Sequence, residues 1–216
     1  MPRRSAGPGG TAGDYGYRDG VAVAYDARTA LVVVDVQNDF ADPAGSLSVP
    51  GATAVIGTVN EHIAAATAAG AVVVYTQDWH PPRTPHFVTD GGPWPVHCVR
   101  DTWGAALHPA LDVVAGDPVL KGTAGEDGYS GFTMRDTTSG FDVPTGLDDV
   151  LRQHGVRRVV VVGLALDYCV KATALDAVRL GYECVVPPTA TAAVEVNAGD
   201  GAAALAELVG AGVDVS

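Results

Sequence analysis

Positive charge is scarce in this chain of 216 residues: 13 Lys plus Arg face 25 Asp plus Glu, for a formal net charge of −12. Only two of the basic residues are lysines, Lys121 and Lys171. A field of that sign repels phosphate backbones and anionic bilayers, so nucleic acid and membrane surfaces are excluded as expected partners. Cysteine is scarce as well. The three present, Cys98, Cys169 and Cys184, are odd in number and far apart, which argues against a disulfide framework and leaves at least one free thiol. Long apolar runs are missing: the four valines after Arg157 and Arg158 fall far short of the ~20 residues that cross a bilayer. The residues after Arg3 and Arg4 are Ser, Ala, Gly and Pro, without the apolar stretch of a secretory signal, so a cytoplasmic location is expected. What is present is a chain 47% apolar and 18% charged, too hydrophobic for disorder and too interrupted by Gly and Pro for a coiled coil. Its length suits one α/β domain, which can bury roughly 70% of the unfolded surface.

Residues 1–28 carry six glycines and one brief apolar stretch, and read as a flexible N-terminal extension ahead of a domain spanning 29–216. Within the domain, short β-branched runs at 31–35, 72–76, 119–120, 159–162 and 184–186 predict strands buried on both faces. Between them the patterns at 52–69, 147–154, 167–180 and 201–209 predict helices, with Gly70, Gly155, Gly181 and Gly210 expected as their C-terminal caps. This alternation predicts a three-layer α-β-α architecture around a mostly parallel central sheet. Residues 79–117, rich in Pro, Gly, Trp and His, follow no period, and a long irregular segment of this kind usually serves a function.

Ligands of open parallel sheets sit beyond the carboxyl ends of the strands, so the polar residue that ends each apolar run matters most. Four runs end in chemistry: Asp35, Asp78 with His80, Lys121, and the segment from Gly163 to Cys169. Singly, a strand-terminal Asp caps a turn and a lone Cys fills a core. Together they put a carboxylate, an ammonium and a thiol on one rim. Cys169 should open a helix whose dipole, aided by Lys121, lowers the thiol pKa and makes it the nucleophile. Asp35 could take the thiol proton and return it to a leaving amine. Unperturbed values of ~3.9 and ~8.5 leave a gap of ~4.6 units, or roughly 6 kcal/mol, for the environment to close. A second constellation, Asp78, His80, His86 and His97, suits zinc, manganese or iron, with the neighbouring prolines stiffening the loop that would close round the ion. His108 and His154 read as structural, Cys184 as core, and Cys98 as an unfavoured metal ligand.

In this order the residues resemble the nicotinamidase/pyrazinamidase branch of the isochorismatase-like cysteine hydrolases, from about residue 30 to 215. The most specific pieces are Val34-Asp35-Val36-Gln37-Asn38-Asp39-Phe40, Thr76-Gln77-Asp78-Trp79-His80, Trp94-Pro95-Val96-His97-Cys98, Lys121-Gly122 with Tyr129-Ser130-Gly131-Phe132, and Asp167-Tyr168-Cys169-Val170. The resemblance implies the isochorismatase-like hydrolase fold and a catalytic triad of Asp35, Lys121 and Cys169. It further implies an oxyanion hole from the Ala165 and Cys169 N–H groups, a cis bond between Leu164 and Ala165, and one divalent ion on Asp78, His80, His86 and His97 that contacts a pyridine nitrogen. Phe40, Trp94 and Tyr129 match positions that flank the substrate ring. Residue 166 is Leu where many relatives carry Thr, and the spacing from His86 to His97 is shorter than in some. The implied activity is hydrolysis of nicotinamide and pyrazinamide to the acids and ammonia, in pyridine nucleotide salvage. A sister cysteine amidase acting on an N-carbamoyl or other small amide is the rival, and a non-catalytic binding protein is the reading from another class. The expected partner is a small-molecule substrate, with homo-oligomers left open.

Overall fold

The continuous apolar runs become strands because a parallel strand covered by helices has no solvent face to leave polar. The structure is a computed structural model that describes residues 23–114 and 116–216. Strand β1, Thr29–Val34, is buried at every position. A single helical turn α1, Asn38–Ala41, precedes the long helix α2, Ala52–Ala68, and strand β2, Val72–Asp78. After the irregular segment, which holds one 3-10 turn at Val88–Asp90, come β3, Val119–Lys121, and a two-stranded antiparallel hairpin of β4, Thr133–Arg135, and β5, Asp142–Pro144. Helix α3, Leu147–Gln153, leads into β6, Arg158–Leu164. A π-helical turn, Leu166–Val170, then runs into α4, Lys171–Arg179, followed by β7, Glu183–Val185, β8, Thr191–Ala192, and α5, Asp200–Gly210.

The sheet order is β3-β2-β1-β6-β7 with β8 beside β6, and all these pairings are parallel. Alternate residues of β1 face opposite layers. Ala30, Val32 and Val34 pack with Leu147, Leu151, Ala174, Ala177 and Leu208 of α3, α4 and α5. Leu31 and Val33 pack with Ile56, Val59 and Ile63 of α2. Three α-β-α layers result, as the alternation predicts. From β1 the chain builds outward through β2 and β3, then returns to the other side of β1 for β6 and β7. The strand order therefore reverses between β1 and β6, and the crevice at their carboxyl ends is where such sheets bind ligands. At that reversal Val34 pairs with Gly163, whose φ is 104° and where a Cβ would fall 2.2 Å from the Val34 carbonyl oxygen.

Several expectations shift in detail. Gly70, Gly155 and Gly181 follow their helices with positive φ, but Gly210 is the last residue of α5 and Gly212, at φ 89°, takes the left-handed position. The hairpin, α1 and β8 are additions, all too short to show a period. Of the expected N-terminal extension, residues 1–22 lie outside the described residues. Further along it, the Tyr25 hydroxyl lies 2.7 Å from Nδ1 of His62 on α2. No helix among the described residues is long and apolar enough to cross a membrane.

Candidate active site

Strand ends deliver the reactive groups. Asp35 follows β1 at a φ of 49° and is fully buried. Its Oδ1 accepts a hydrogen bond from the Thr76 hydroxyl at 2.6 Å and its Oδ2 one from Lys121 Nζ at 2.7 Å. Lys121, last residue of β3 and 1% exposed, also meets Asp78 Oδ1 at 3.0 Å and Cys169 Sγ at 3.6 Å. The carboxylate, ammonium and thiol expected on one rim are thus brought into mutual contact from three separate strands.

The charge balance around the thiol differs from the expectation. Burial pushes Cys169 well above its ordinary value; Lys121 opposes this, while Asp35 and Asp78 add to it. Cys169 lies in the π-helical turn that opens α4, buried in a chamber with two carboxylates. Burial and the two carboxylates thus favour the protonated sulfur. Burial also raises Asp35 above the usual carboxylate range, against the pull of Lys121. Asp78 is the reverse case: burial disfavours its charge, yet Lys121 and His80 hold it far below that range. Burial disfavours the charge on Lys121, but Asp35 and Asp78 keep it cationic.

Next to this contact, His80, His86 and His97 are buried with ligand nitrogens within 4.8 Å of one another. Asp78 Oδ2 lies 3.8 Å from Nε2 of both His80 and His97. Neither ring nitrogen of His80 has a hydrogen-bond partner, and a buried imidazole left in that state is what a metal ligand looks like without its metal. Burial lowers His97 to about 4, so its ring is neutral at pH 7 and free to ligate. The three expected imidazoles therefore converge, with the Asp78 carboxylate beside two of them, and such a donor set fits zinc or a similar divalent ion. Gly122 follows Lys121 at φ 72°, where a Cβ would fall 2.5 Å from His80 Nδ1, so glycine is required both for the backbone and for the ring. Cys98 stays outside the cluster. Its N–H donates to Asp39 Oδ2 at 2.7 Å, which anchors the loop that carries His97.

A pocket opens between the two clusters, lined by Phe40, Trp94, Tyr129, Tyr168, Ala165, Cys169, Asp78, His86 and His97 with Leu47, Val49, Leu164 and Val194. Its aromatic wall is cross-braced: Trp94 Nε1 donates to the Tyr129 hydroxyl at 3.0 Å, and both rings meet Tyr168 edge-on at 5.1 and 5.2 Å. Phe40 lies 5.4 Å from the His97 ring. The bond between Leu164 and Ala165 is cis. Residues that the strand-end reasoning missed act one step back. Gln37 donates to the Asp78 carbonyl at 2.7 Å and accepts from its N–H at 2.8 Å, clamping the carboxylate's backbone. Asp127 Oδ1 lies 2.8 Å from His86 Nδ1. Tyr168 had a signal, being next to the nucleophile candidate; Gln37 and Asp127 had none beyond their place in quoted or intervening segments.

Comparison with known proteins identifies the family of the chain. The Isochorismatase domain family matches residues 29–216. A nicotinamidase/pyrazinamidase of Mycobacterium tuberculosis is 41% identical over 191 residues, covering 86% of this chain and 97% of that protein. The crystal structure of PnC1 from L. infantum in complex with nicotinate is 39% identical, with a TM-score of 0.80 over 91% of this chain and 96% of that one. The pyrazinamidase of Pyrococcus horikoshii in complex with zinc is 38% identical, with a TM-score of 0.77 over 88% and 98% of the two chains.

Proposed function

The chain belongs to the isochorismatase domain family, and from that membership and its assembled site we propose an amidohydrolase that converts nicotinamide and pyrazinamide to the corresponding acids and ammonia. One observation carries the reading: a single ammonium, Lys121, joins the Asp35 carboxylate to the Cys169 thiol beside a buried three-histidine cluster. Sister amidases would share the first half of that sentence; the histidines favour a heteroaromatic substrate.

In the proposed reaction the substrate ring lies in the aromatic cavity with its carboxamide over Cys169. Asp35 takes the thiol proton as sulfur bonds to the carboxamide carbon. Because the environment raises both pKa values, proton transfer accompanies attack instead of preceding it, and negative charge moves onto the carbonyl oxygen as it forms. The N–H groups of Ala165 and Cys169 receive that oxyanion, at roughly 3 kcal/mol per donor in comparable hydrolases. Asp35 returns the proton to the amine, ammonia leaves and a thioester remains. Water, deprotonated by Asp35, cleaves it to the acid and the free thiol. Lys121 keeps its charge throughout and steadies Asp35 and the sulfur in turn. A divalent ion held by Asp78, His80, His86 and His97 would supply a Lewis-acidic contact for a ring nitrogen. A cytoplasmic location and a place in pyridine nucleotide salvage belong to the same proposal.

Ammonia release across four amides tests this. Nicotinamide and pyrazinamide, which carry a ring nitrogen meta to the carboxamide, should be cut well by the zinc-loaded protein. Benzamide lacks that nitrogen and picolinamide holds it elsewhere, so both should be cut poorly, and Cys169→Ala should release no ammonia from any. Benzamide turned over as fast as nicotinamide would remove the ring-anchoring role and favour a sister amidase; activity in Cys169→Ala would remove the thioester route.

A further inference from the structure

The three clustered imidazoles are held at their far nitrogens in three different ways. His97 Nδ1 lies 2.7 Å from the Pro95 carbonyl oxygen, a neutral acceptor. His80 Nδ1 has no partner and faces Gly122. His86 Nδ1 lies 2.8 Å from Asp127 Oδ1, a charged one. The backbone at His86 is held more loosely than that at His80. It sits in the irregular segment, where its N–H meets the Thr84 hydroxyl at 3.4 Å and its carbonyl accepts from Trp94 at 3.3 Å. The backbone at His80 makes tighter bonds, to Cys98 at 3.0 Å and from Arg100 at 2.9 Å.

We propose that Asp127 is a positioning residue for His86, fixing the tautomer and ring orientation that turn Nε2 toward the cluster and so setting metal affinity. The inference rests on the metal-site reading above. A carboxylate at Nδ1 keeps the proton on that nitrogen, leaves the Nε2 lone pair to the ion, and makes the ring a better donor. The hairpin gives Asp127 its fixed place although its side chain is half-exposed. Asp127 pairs with Arg135 of β4 through the backbone, and the Gly128 N–H donates to Asp127 Oδ1 at 2.8 Å. The hairpin is in turn pinned to α4 by the Thr133 hydroxyl, which donates to Asp176 at 2.7 Å. A small, polar hairpin outside the main sheet thereby gains a reason to exist: it braces the preceding loop, which carries the outer carboxylate of the metal site.

The test is zinc affinity of the full chain, measured by competition with a chromophoric chelator, together with the visible absorption of the cobalt-loaded protein. Asp127→Ala should bind zinc about 10- to 100-fold more weakly and shift the cobalt bands. Asp127→Asn, which can still accept from Nδ1 but carries no charge, should fall between it and the parent. Asp142→Asn on the hairpin itself should match the parent in both readouts. Should Asp127→Ala fail to fold, the near-isosteric Asn variant decides. Parent-like affinity and cobalt spectrum in Asp127→Asn and in any folded Asp127→Ala would overturn the positioning role alone. A parent protein that binds no zinc would overturn the metal site and this inference with it.

Discussion

Lys121 meets Asp35 at 2.7 Å, Asp78 at 3.0 Å and the Cys169 sulfur at 3.6 Å, so one ammonium is divided among three groups that all gain from its charge. The carboxylates take the larger share, which favours the protonated thiol. Alkylation of Cys169 by iodoacetamide should therefore be slow at neutral pH and keep rising with pH past the range of an ordinary thiol, since the thiolate reacts. It should still outpace Cys98 and Cys184, because Cys169 alone lines the cavity. Asp35→Asn removes one of the charges that hold the thiol up, so it should speed alkylation at pH 8 while cutting kcat by about 10²–10⁴-fold through loss of the base. Peptide mass spectrometry beside an ammonia assay reads both. The two rates falling together would mean that Asp35 activates the thiol at rest, contrary to the burial argument.

At the scale of the element, β6 carries the tightest constraint. Its Gly163 faces the Val34 carbonyl at the reversal of strand order, and Gly163→Ala adds an unfavourable backbone of about 1–3 kcal/mol to an overpacked contact of about 1–3 kcal/mol. Urea unfolding should show a loss of about 2–6 kcal/mol, and a change below about 1 would mean the strands part easily there. Strands of this kind were legible because both their faces are buried, which leaves an unbroken apolar run and a conspicuous polar residue at its end. Asp35, Asp78, Lys121 and Cys169 were found that way. The β4–β5 hairpin was not, since Thr133–Arg135 and Asp142–Pro144 are three residues each and partly exposed, with nothing periodic to read. Asp127 went unread with it. For the thiol, position along a helix and the pull of Lys121 are visible in sequence, whereas burial with two carboxylates, which opposes them, is a property of the closed fold.

Across the whole molecule, the metal cluster ties the irregular segment to the sheet. Asp78 ends β2 and His80 follows it, while His86 and His97 come from the loop beyond. An ion that binds this arrangement and not the open chain should stabilise it by about 2.7 kcal/mol at a hundredfold excess over its dissociation constant. For a protein of this size that is a rise of roughly 5–10 °C in Tm. Calorimetry of zinc-loaded against chelator-treated protein measures it, and identical melting would show that the cluster takes no ion. The nucleophile's late place in the chain has its own consequence. Asp35 and Lys121 are 86 residues apart, and Lys121 and Cys169 a further 48, so no contiguous fragment short of the core sheet holds all three. During synthesis the carboxylate and the lysine leave the ribosome well before the thiol. The growing polypeptide thus should stay chemically silent until β6 pairs with β1, and the step that joins the two halves of the sheet is the one that delivers the thiol.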